Sequence, residues 1–254
     1  MTIDFNKRLA VVTGGAGGIG KNVVRALLDA NARVAIVDMS EEAMAKAKEE
    51  LSAYGEVGCF KFNLLDVDGM GACVDQIVAE MGPISHLVQI AGILAGKPGL
   101  DITLEDWDKC MNINARGVFF FMQQVVARSM KETGGTIVNL ASMAAIRGMV
   151  PPIEGAHYGA SKAAVYAVTL QAAVEWAQFG IRCNCIAPGG VKVGRMAGIP
   201  KEQIPPEMVA NVPMRDLVDP NCIAQTMVYL LSDMSSAVTG QCVIADGGAT
   251  ACGY

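Results

Sequence analysis

The feature that most restricts the fold is a strand that runs into a glycine-rich turn and then into a helix. Arg8 to Thr13 is a short apolar run of β-formers. It ends in Gly14-Gly15-Ala16-Gly17-Gly18-Ile19-Gly20, and an amphipathic helix is expected over Lys21 to Ala30. A second β-rich run, Arg33 to Asp38, follows. Strand, glycine turn, helix and strand make a βαβ unit, in which side-chain-free residues let backbone N–H groups reach a pyrophosphate at the helix N-terminus. The turn fits G-x-G-x-x-G through Gly15, Gly17 and Gly20, and T-G-x-x-x-G-x-G through Thr13, Gly14, Gly18 and Gly20. A glycine pattern alone is weak; placed between strand and helix, with an acid closing the second strand, it is specific. Asp38 is that acid, 18 residues after Gly20. Its carboxylate suits the adenosine ribose hydroxyls and would repel a 2′-phosphate by about 4 kcal/mol at ~4 Å and an effective dielectric of ~20. Neither Met39 nor Ser40 offsets that with a positive charge. The alternative, in which Asp38 only caps the next helix, leaves the glycine turn unexplained. The cofactor expected is NAD rather than NADP.

The alternation continues to the end of the chain. Helices are expected over Glu41 to Tyr54, Val67 to Met81, Thr103 to Met130, Gly159 to Phe179 and Pro220 to Leu231. Strands are expected over Val57 to Phe62, Ile84 to Ile90, Thr136 to Leu140, Ile181 to Ile186 and Cys242 to Ala245. Seven strands mostly separated by helices imply an α/β fold, a doubly wound, mostly parallel seven-stranded sheet. With no linker, repeat or low-complexity stretch, residues 1–254 form a single domain, with a substrate loop at about 189–214.

Composition removes several function classes. The net charge is −5 without a Lys/Arg run, which argues against nucleic acid. No apolar run approaches the ~18 residues of a membrane span, and the N-terminus lacks the apolar core of a signal peptide. The eight cysteines (59, 73, 110, 183, 185, 222, 242 and 252) form no CxxC pair, and with two histidines no metal site is expected. They read as small buried hydrophobes in a reducing cytoplasm.

Ligands on such sheets lie beyond the carboxyl ends of the strands. Those ends carry the Gly14–Gly20 turn, Asp38, Asn63, Ala91-Gly92, Ser142 and Pro188-Gly189. The helix after the Ser142 strand opens on Tyr158-Gly159-Ala160-Ser161-Lys162. Residues four apart share a helix face, so the Lys162 ammonium can draw the Tyr158 phenol down from its ordinary pKa near 10 and make it a usable base. A surface Tyr and Lys four apart by coincidence is the bland alternative; their position beside Ser142 and the glycine turn weighs against it.

On these residues the chain resembles the short-chain dehydrogenase/reductase family over essentially its whole length. The motifs that carry the resemblance are Thr13-Gly14-xxx-Gly18-x-Gly20, Asp38, Ala91-Gly92, Asn114, Ile137 to Ser142, Tyr158-xxx-Lys162, Pro188-Gly189, and Thr239-Gly240 with Asp246-Gly247-Gly248. The resemblance implies a catalytic tetrad of Asn114, Ser142, Tyr158 and Lys162. Tyr158 would take the hydroxyl proton as hydride leaves the same carbon, and Ser142 would hold the substrate oxygen. Lys162 would tune Tyr158 and bind the nicotinamide ribose, and Asn114 would hold a water relaying protons to solvent. Cofactor contacts are implied for Gly14, Gly17, Gly18, Ile19, Gly20, Asp38, Asn63, Leu64, Ala91, Gly92, Tyr158, Lys162, Pro188, Gly189 and Val191. The chain departs from the family at Gln89-Ile90, where two asparagines are usual, at Asn63 for an aspartate, and at Val193 for a threonine.

The resulting reading is an NAD-dependent oxidoreductase interconverting a secondary alcohol, a polyol or small hydroxy compound, with its ketone. A 3-oxoacyl or hydroxysteroid dehydrogenase/reductase is the alternative within enzymes, and a non-catalytic NAD-sensing protein the alternative outside them. Lys192, Arg195 and Arg147 would clamp an anionic substrate, or, as preferred, are ordinary solvated charges or contacts to the cofactor pyrophosphate. His157 reads as a packed loop residue. The segment from Met149 to Gly155 is expected to wall the pocket, and the loop from Gly190 to Met214 to cover it as a mobile lid. Ala163 to Trp176 is apolar on nearly every side, so a second copy of the chain is expected against it, as a homodimer or homotetramer.

Overall fold

In the strands of this chain, apolar residues alternate between two buried faces. In β1 (Leu9–Thr13), Ala10 and Val12 face one core while Leu9 and Val11 face the other. In β2 (Arg33–Asp38), Val34 and Ile36 oppose Ala35 and Val37. Such strands need helices on both sides, and the computed structural model, which describes residues 2–149 and 155–252, shows them. After β2 come α2 (Glu41–Leu51), β3 (Val57–Lys61), α3 (Met70–Met81) and β4 (Ile84–Gln89), with α1 (Gly18–Asp29) between β1 and β2. Then follow α4 (Leu104–Met111), α5 (Val118–Val125), the single turn α6 (Lys131–Thr133) and β5 (Gly135–Leu140). The chain closes with α7 (Ala156–Glu175), β6 (Ile181–Pro188), α8 (Pro220–Leu231) and β7 (Cys242–Ala245).

All seven strands are parallel in the order β3-β2-β1-β4-β5-β6-β7. The direction of winding reverses between β1 and β4, which opens a crevice at their carboxyl ends. One core packs α1, α2 and α8 on the sheet; the other packs α3, α5 and part of α7. Among the described residues no helix is long and apolar enough to cross a membrane.

Several boundaries differ from expectation: the first helix begins at Gly18 instead of Lys21, and the one expected to reach Tyr54 ends at Leu51. The helix expected from Val67 begins at Met70, and the one expected from Gly159 begins at Ala156. The single helix expected over Thr103 to Met130 is broken by π-helical turns at Asn112–Gly117 and Val126–Met130. The first break has a tertiary cause at Asn114. The loop expected to act as a lid folds into short 3-10 turns around an apolar cluster of its own, Ile204, Val209 and Leu217.

Candidate active site

The crevice at the switch point is an opening of about 510 Å³. Towards one end lie Gly14, Gly17, Gly18, Ile19, Asp38, Met39, Asn63 and Leu64; towards the other lie Ala91, Gly92, Ile93, Leu94, Ile113, Val193, Tyr158 and Lys162. Each end owes its shape to glycine. A Cβ on Gly14 would sit 2.8 Å from the Ala91 nitrogen, so β1 and β4 could not approach there with any side chain. Gly18 has φ +50°, and a Cβ on it or on Gly17 would meet nothing within 4 Å. The space above the N-terminus of α1 is thus left empty of protein atoms, which fits a pyrophosphate held by backbone N–H groups. Gly20 and Gly15 act differently: Gly20 lets α1 lie directly against the Gly14 carbonyl, where any Cβ would collide, and Gly15 lies against Ile36 and Val24. Gly20, expected among the cofactor contacts, shapes the turn from behind.

Asp38 sits where a ribose would be read. Its Oδ2 accepts from the Ala16 N–H at 3.4 Å and its Oδ1 from the Ser40 N–H at 3.2 Å, and each oxygen keeps further lone pairs. It does not cap α2; Ser40 does, accepting from the Ala43 N–H at 3.2 Å. Asn63 closes a tight turn through its Oδ1, which accepts from the Leu65 N–H at 3.0 Å. Among the described residues, the charged side chains lining the opening are Asp38 and Lys162.

Lys162 is 4% exposed and donates to the Leu140 carbonyl at 2.8 Å. Burial brings its pKa down to about 8, because the ammonium has lost most of its water. Tyr158 behaves otherwise than expected. Burial pushes its phenol up from the ordinary value, and the Ser142 hydroxyl beside it pulls only partly the other way. Desolvation therefore outweighs any help from the lysine in the protein alone. Ser142 also closes its own turn, accepting from the Ala144 N–H at 3.2 Å.

Asn114 is fully buried in the first π-helical turn. Its amide donates to the Ile93 carbonyl at 2.9 Å and accepts from the Ile93 N–H at 2.8 Å, which pulls the helix out of register. The remaining N–H goes to the Ser161 hydroxyl at 3.1 Å. With these bonds made, the Asn114 side chain keeps one spare lone pair on Oδ1. Ser161 and Cys110 were not singled out from the sequence, although Cys110 is one helical turn before Asn114 and Ser161 stands within the Tyr158–Lys162 motif.

Pro188, Gly189 and Val191 flank the opening instead of lining it. A Cβ on Gly189 would come within 3.0 Å of Asp246, and Val191 bridges to Val218. The substitution at Gln89-Ile90 is accommodated inside the sheet. Gln89 donates to the Val118 carbonyl and to Asn139, both at 3.0 Å, and Asn139 donates to Thr169 at 3.0 Å. Of the cations considered for an anionic substrate, Lys192 pairs with Asp216 at 2.8 Å, Arg147 donates to the Ala249 carbonyl, and Arg195 is exposed. His157 is buried, as expected of a packed residue. Of the expected pocket wall, residues 150–154 lie outside the described residues.

A doubly wound parallel sheet, with a glycine turn and acid at one end of its crevice and a Tyr–Lys pair at the other, defines a class: oxidoreductases working with a nicotinamide dinucleotide. Comparison narrows the class. A family model described as enoyl-(acyl carrier protein) reductase matches residues 14–250. The 2,5-dichloro-2,5-cyclohexadiene-1,4-diol dehydrogenase of Sphingobium indicum is 34% identical over 98% of this chain and 99% of its own. The cyclohexanol dehydrogenase of an Acinetobacter species is 33% identical over 98% of both chains. The 3-oxoacyl-[acyl-carrier-protein] reductase of Thermotoga maritima is 34% identical over 95% of this chain and 97% of its own. Among solved structures, an NAD⁺-bound xylitol dehydrogenase superposes with a TM-score of 0.87 at 30% identity, covering 94% of this chain and 98% of the other. An actinorhodin polyketide ketoreductase with NADPH superposes with a TM-score of 0.89 at 29% identity, covering 100% of both. The chain belongs to the short-chain dehydrogenase/reductase family.

Proposed function

We propose that this protein is an NAD-dependent dehydrogenase that interconverts a small uncharged secondary alcohol, ring-borne or a polyol, with its ketone. The observation that carries the reading is that Asp38 and the Tyr158–Lys162 pair line the two ends of one opening. Gly14, Gly17, Gly18 and Ile19 would hold the pyrophosphate, Asp38 the adenosine ribose, and Asn63 and Leu64 the adenine side. Ala91, Gly92, Tyr158 and Lys162 would hold the nicotinamide half, with Val191 supplying backbone near the position where Val193 replaces threonine. A nicotinamide bound there would supply the acceptor for the hydride on the carbinol carbon. Ser142 would hydrogen-bond the substrate oxygen, Tyr158 as the phenolate would take its proton and become the phenol, and Lys162 would stabilise the phenolate before that transfer. In the ketone-to-alcohol direction Tyr158 returns that proton.

Structural neighbours bind either cofactor, so the choice of NAD rests on Asp38 and on the lack, among the described residues, of any Lys or Arg lining that end of the opening. The substrate end is walled by Ile93, Leu94, Ile113 and Val193, which suits a carbocycle better than an anion. Two relatives named for ring-borne alcohols support that choice. The exposed Leu170 and Val174 on α7 support a homodimer or homotetramer, and eight unpaired cysteines suit the cytoplasm.

The test is NADH formation by the purified protein across panels of cyclic alcohols and diols, linear polyols, steroids and anionic hydroxy compounds. NAD⁺ is expected to exceed NADP⁺ in kcat/KM by about a hundredfold or more. Tyr158→Phe is expected to lower kcat at least ~1000-fold while NADH still binds. A preference for NADP⁺, or turnover confined to the anionic panel, sinks the corresponding half of the reading. Tight NADH binding with no turnover on any panel would favour the sensing role.

A further inference from the structure

Asp246-Gly247-Gly248, just after β7, is not among the residues lining the opening, yet two of its three positions admit only glycine. Gly247 has φ +65° and Gly248 has φ +88°, where a side chain is strained. Nor is there room for one: a Cβ on Gly247 would come within 2.8 Å of Val212 Cγ1, and one on Gly248 within 3.0 Å of the Pro213 ring. Asp246, 5% exposed, folds the turn by accepting from the Gly248 N–H at 2.9 Å and the Thr250 N–H at 2.7 Å. The Gly247 carbonyl accepts from the Met214 N–H at 3.2 Å. Val212, Pro213 and Met214 belong to the loop expected as a lid. Gly189, where that loop leaves β6, also packs on Asp246.

The loop is closed at its neck, where Val191 bridges to Val218 and Lys192 pairs with Asp216. Its far part has an apolar cluster of its own, with Val212 packed at the edge of that cluster. The neck fixes where the loop starts and the cluster fixes its shape; where the far part stands depends on what it rests against. Towards α1 there is space: about 550 Å³, lined by Lys21 and Asn22 of the helix and by Lys192, Gly194 and Gly198 of the loop. Towards β7 there is contact, and the glycine turn supplies it. The turn is in its place tied to the loop after β5, because Arg147 donates to the Ala249 carbonyl. Arg147 belongs to the turn that Ser142 opens: its N–H goes to the Met143 carbonyl at 3.1 Å, and Ser142 accepts from the Ala144 N–H.

We propose that the Asp246-Gly247-Gly248 turn is the seat on which the loop 189–218 rests, and that Arg147 is a positioning residue holding this seat to the segment that carries Ser142. Val193, the residue by which the loop lines the opening, is thereby placed relative to Ser142 through one strut. The consequence for turnover rests on the dehydrogenase reading; the seating does not. A Cβ on Gly248 meets a proline ring, which cannot swing aside as a flexible side chain would, so the loop must lift.

The experiment uses the full chain with Gly248→Ala, Arg147→Met and Arg147→Lys. Gly82→Ala is the control: Gly82 has φ +87° and a Cβ there meets nothing within 4 Å, so it carries the backbone cost without the contact. Two readouts are taken at an equal distance below each variant's melting midpoint. One is trypsin cleavage after Arg195 and Lys201, both exposed in the loop, which needs no substrate. The other is NAD-linked kcat and KM for the alcohol. Gly248→Ala is expected to quicken loop cleavage about tenfold and to raise KM about fivefold, with kcat within about twofold. Arg147→Met should raise both about threefold, and Arg147→Lys, which keeps a donor, should stay within about twofold of wild type. Gly82→Ala should lower the midpoint and leave loop cleavage and KM unchanged. Loop cleavage unmoved by Gly248→Ala, or quickened equally by Gly82→Ala, overturns the seat. Arg147→Met that matches wild type, or Arg147→Lys as impaired as Met, overturns the role of Arg147. Should Gly248→Ala not fold, Arg147→Met decides through the same two readouts. Should the wild-type protein oxidise no alcohol, the dehydrogenase reading fails, while loop cleavage still decides the seating.

Discussion

Lys162 shows how one residue can serve the site at the expense of the fold. With 4% of its surface exposed and the Leu140 carbonyl as acceptor, it has a pKa brought from 10.5 down to about 8. Between those values the unfolded chain binds more protons than the folded one, so stability rises with pH from about 8 to about 10.5. Below about pH 8 the penalty is present in full, on the order of 3 kcal/mol. Lys162→Met keeps the apolar stem without the charge. It is expected to be more stable than wild type at pH 7 by about 1–3 kcal/mol while losing most of its turnover. The advantage should shrink as the pH approaches 10.5, and urea midpoints at pH 7 and pH 10 read it directly. A midpoint for the Met variant no higher than wild type at pH 7 would mean that the Leu140 bond repays the buried charge. Among site residues, Tyr158, Lys162 and Asp38 were legible because each is placed by spacing within a single helix or strand. Ser161 and Cys110 were not, because their hydrogen bonds link residues 47 and 51 positions apart. The raised Tyr158 value was equally out of reach, since burial is not a local property.

Alternation and helical periodicity placed all seven strands and most helices at the scale of elements. The π-helical break at Asn112–Gly117 escaped because the stretch from Thr103 to Met130 contains no proline and Gly117 alone does not end a helix; the partner that draws Asn114 out of register is Ile93, 21 residues upstream. Strand β4 carries a second concealed feature. His86 is almost fully buried, edge-on to Phe5 at 4.8 Å, with Nδ1 2.7 Å from the Thr136 hydroxyl. Thr136 gives its proton to the Leu231 carbonyl at 3.2 Å, so the ring is read as neutral with its proton on Nδ1. Burial, helped by repulsion from Arg8 and Arg182, takes its pKa from 6.5 to about 3. The folded value lies below the unfolded one, so this group's contribution is intact above about pH 6.5 and is lost as pH falls towards 3. The loss approaches about 1.4 kcal/mol per pH unit. His86→Gln, an uncharged donor at the same point, should be less stable at pH 7 by about 1–2 kcal/mol yet show a flatter decline between pH 6 and pH 4. Parallel declines in denaturant titrations would place the acid sensitivity elsewhere, for example in Asp106 or Glu56, whose carboxyls are held low by Lys97 and Arg33.

The switch point gathers the glycine turn, Asp38 and the Tyr–Lys helix at one edge of the molecule, which leaves α7 with two tasks. Its inner side carries Lys162, Val165, Thr169 and Ala172 into the core. Its outer side presents Ala167, Leu170 and Val174, spaced three and four apart; Leu170 is 41% exposed and Val174 is 76%. A polar outer face would serve a monomer better, so the same stripe that made this helix look apolar on nearly every side supports a second copy of the chain as its cover. A stable contact of that kind buries on the order of 800 Å² per partner, with one or two central side chains contributing most. Val174→Glu would bury an unpaired carboxylate there. It is expected to raise the dissociation constant of the assembly at least about a hundredfold, read as a shift towards monomer in sedimentation velocity at micromolar protein. Val174 lies about 18 Å along the helix from Lys162. NADH binding per protomer should therefore stay within about threefold of wild type, unless dimer contacts also hold α7 against the sheet. A wild-type protein that sediments as a monomer at every concentration would show that this stripe is left to solvent, and a Glu variant that assembles normally would place the interface on another face.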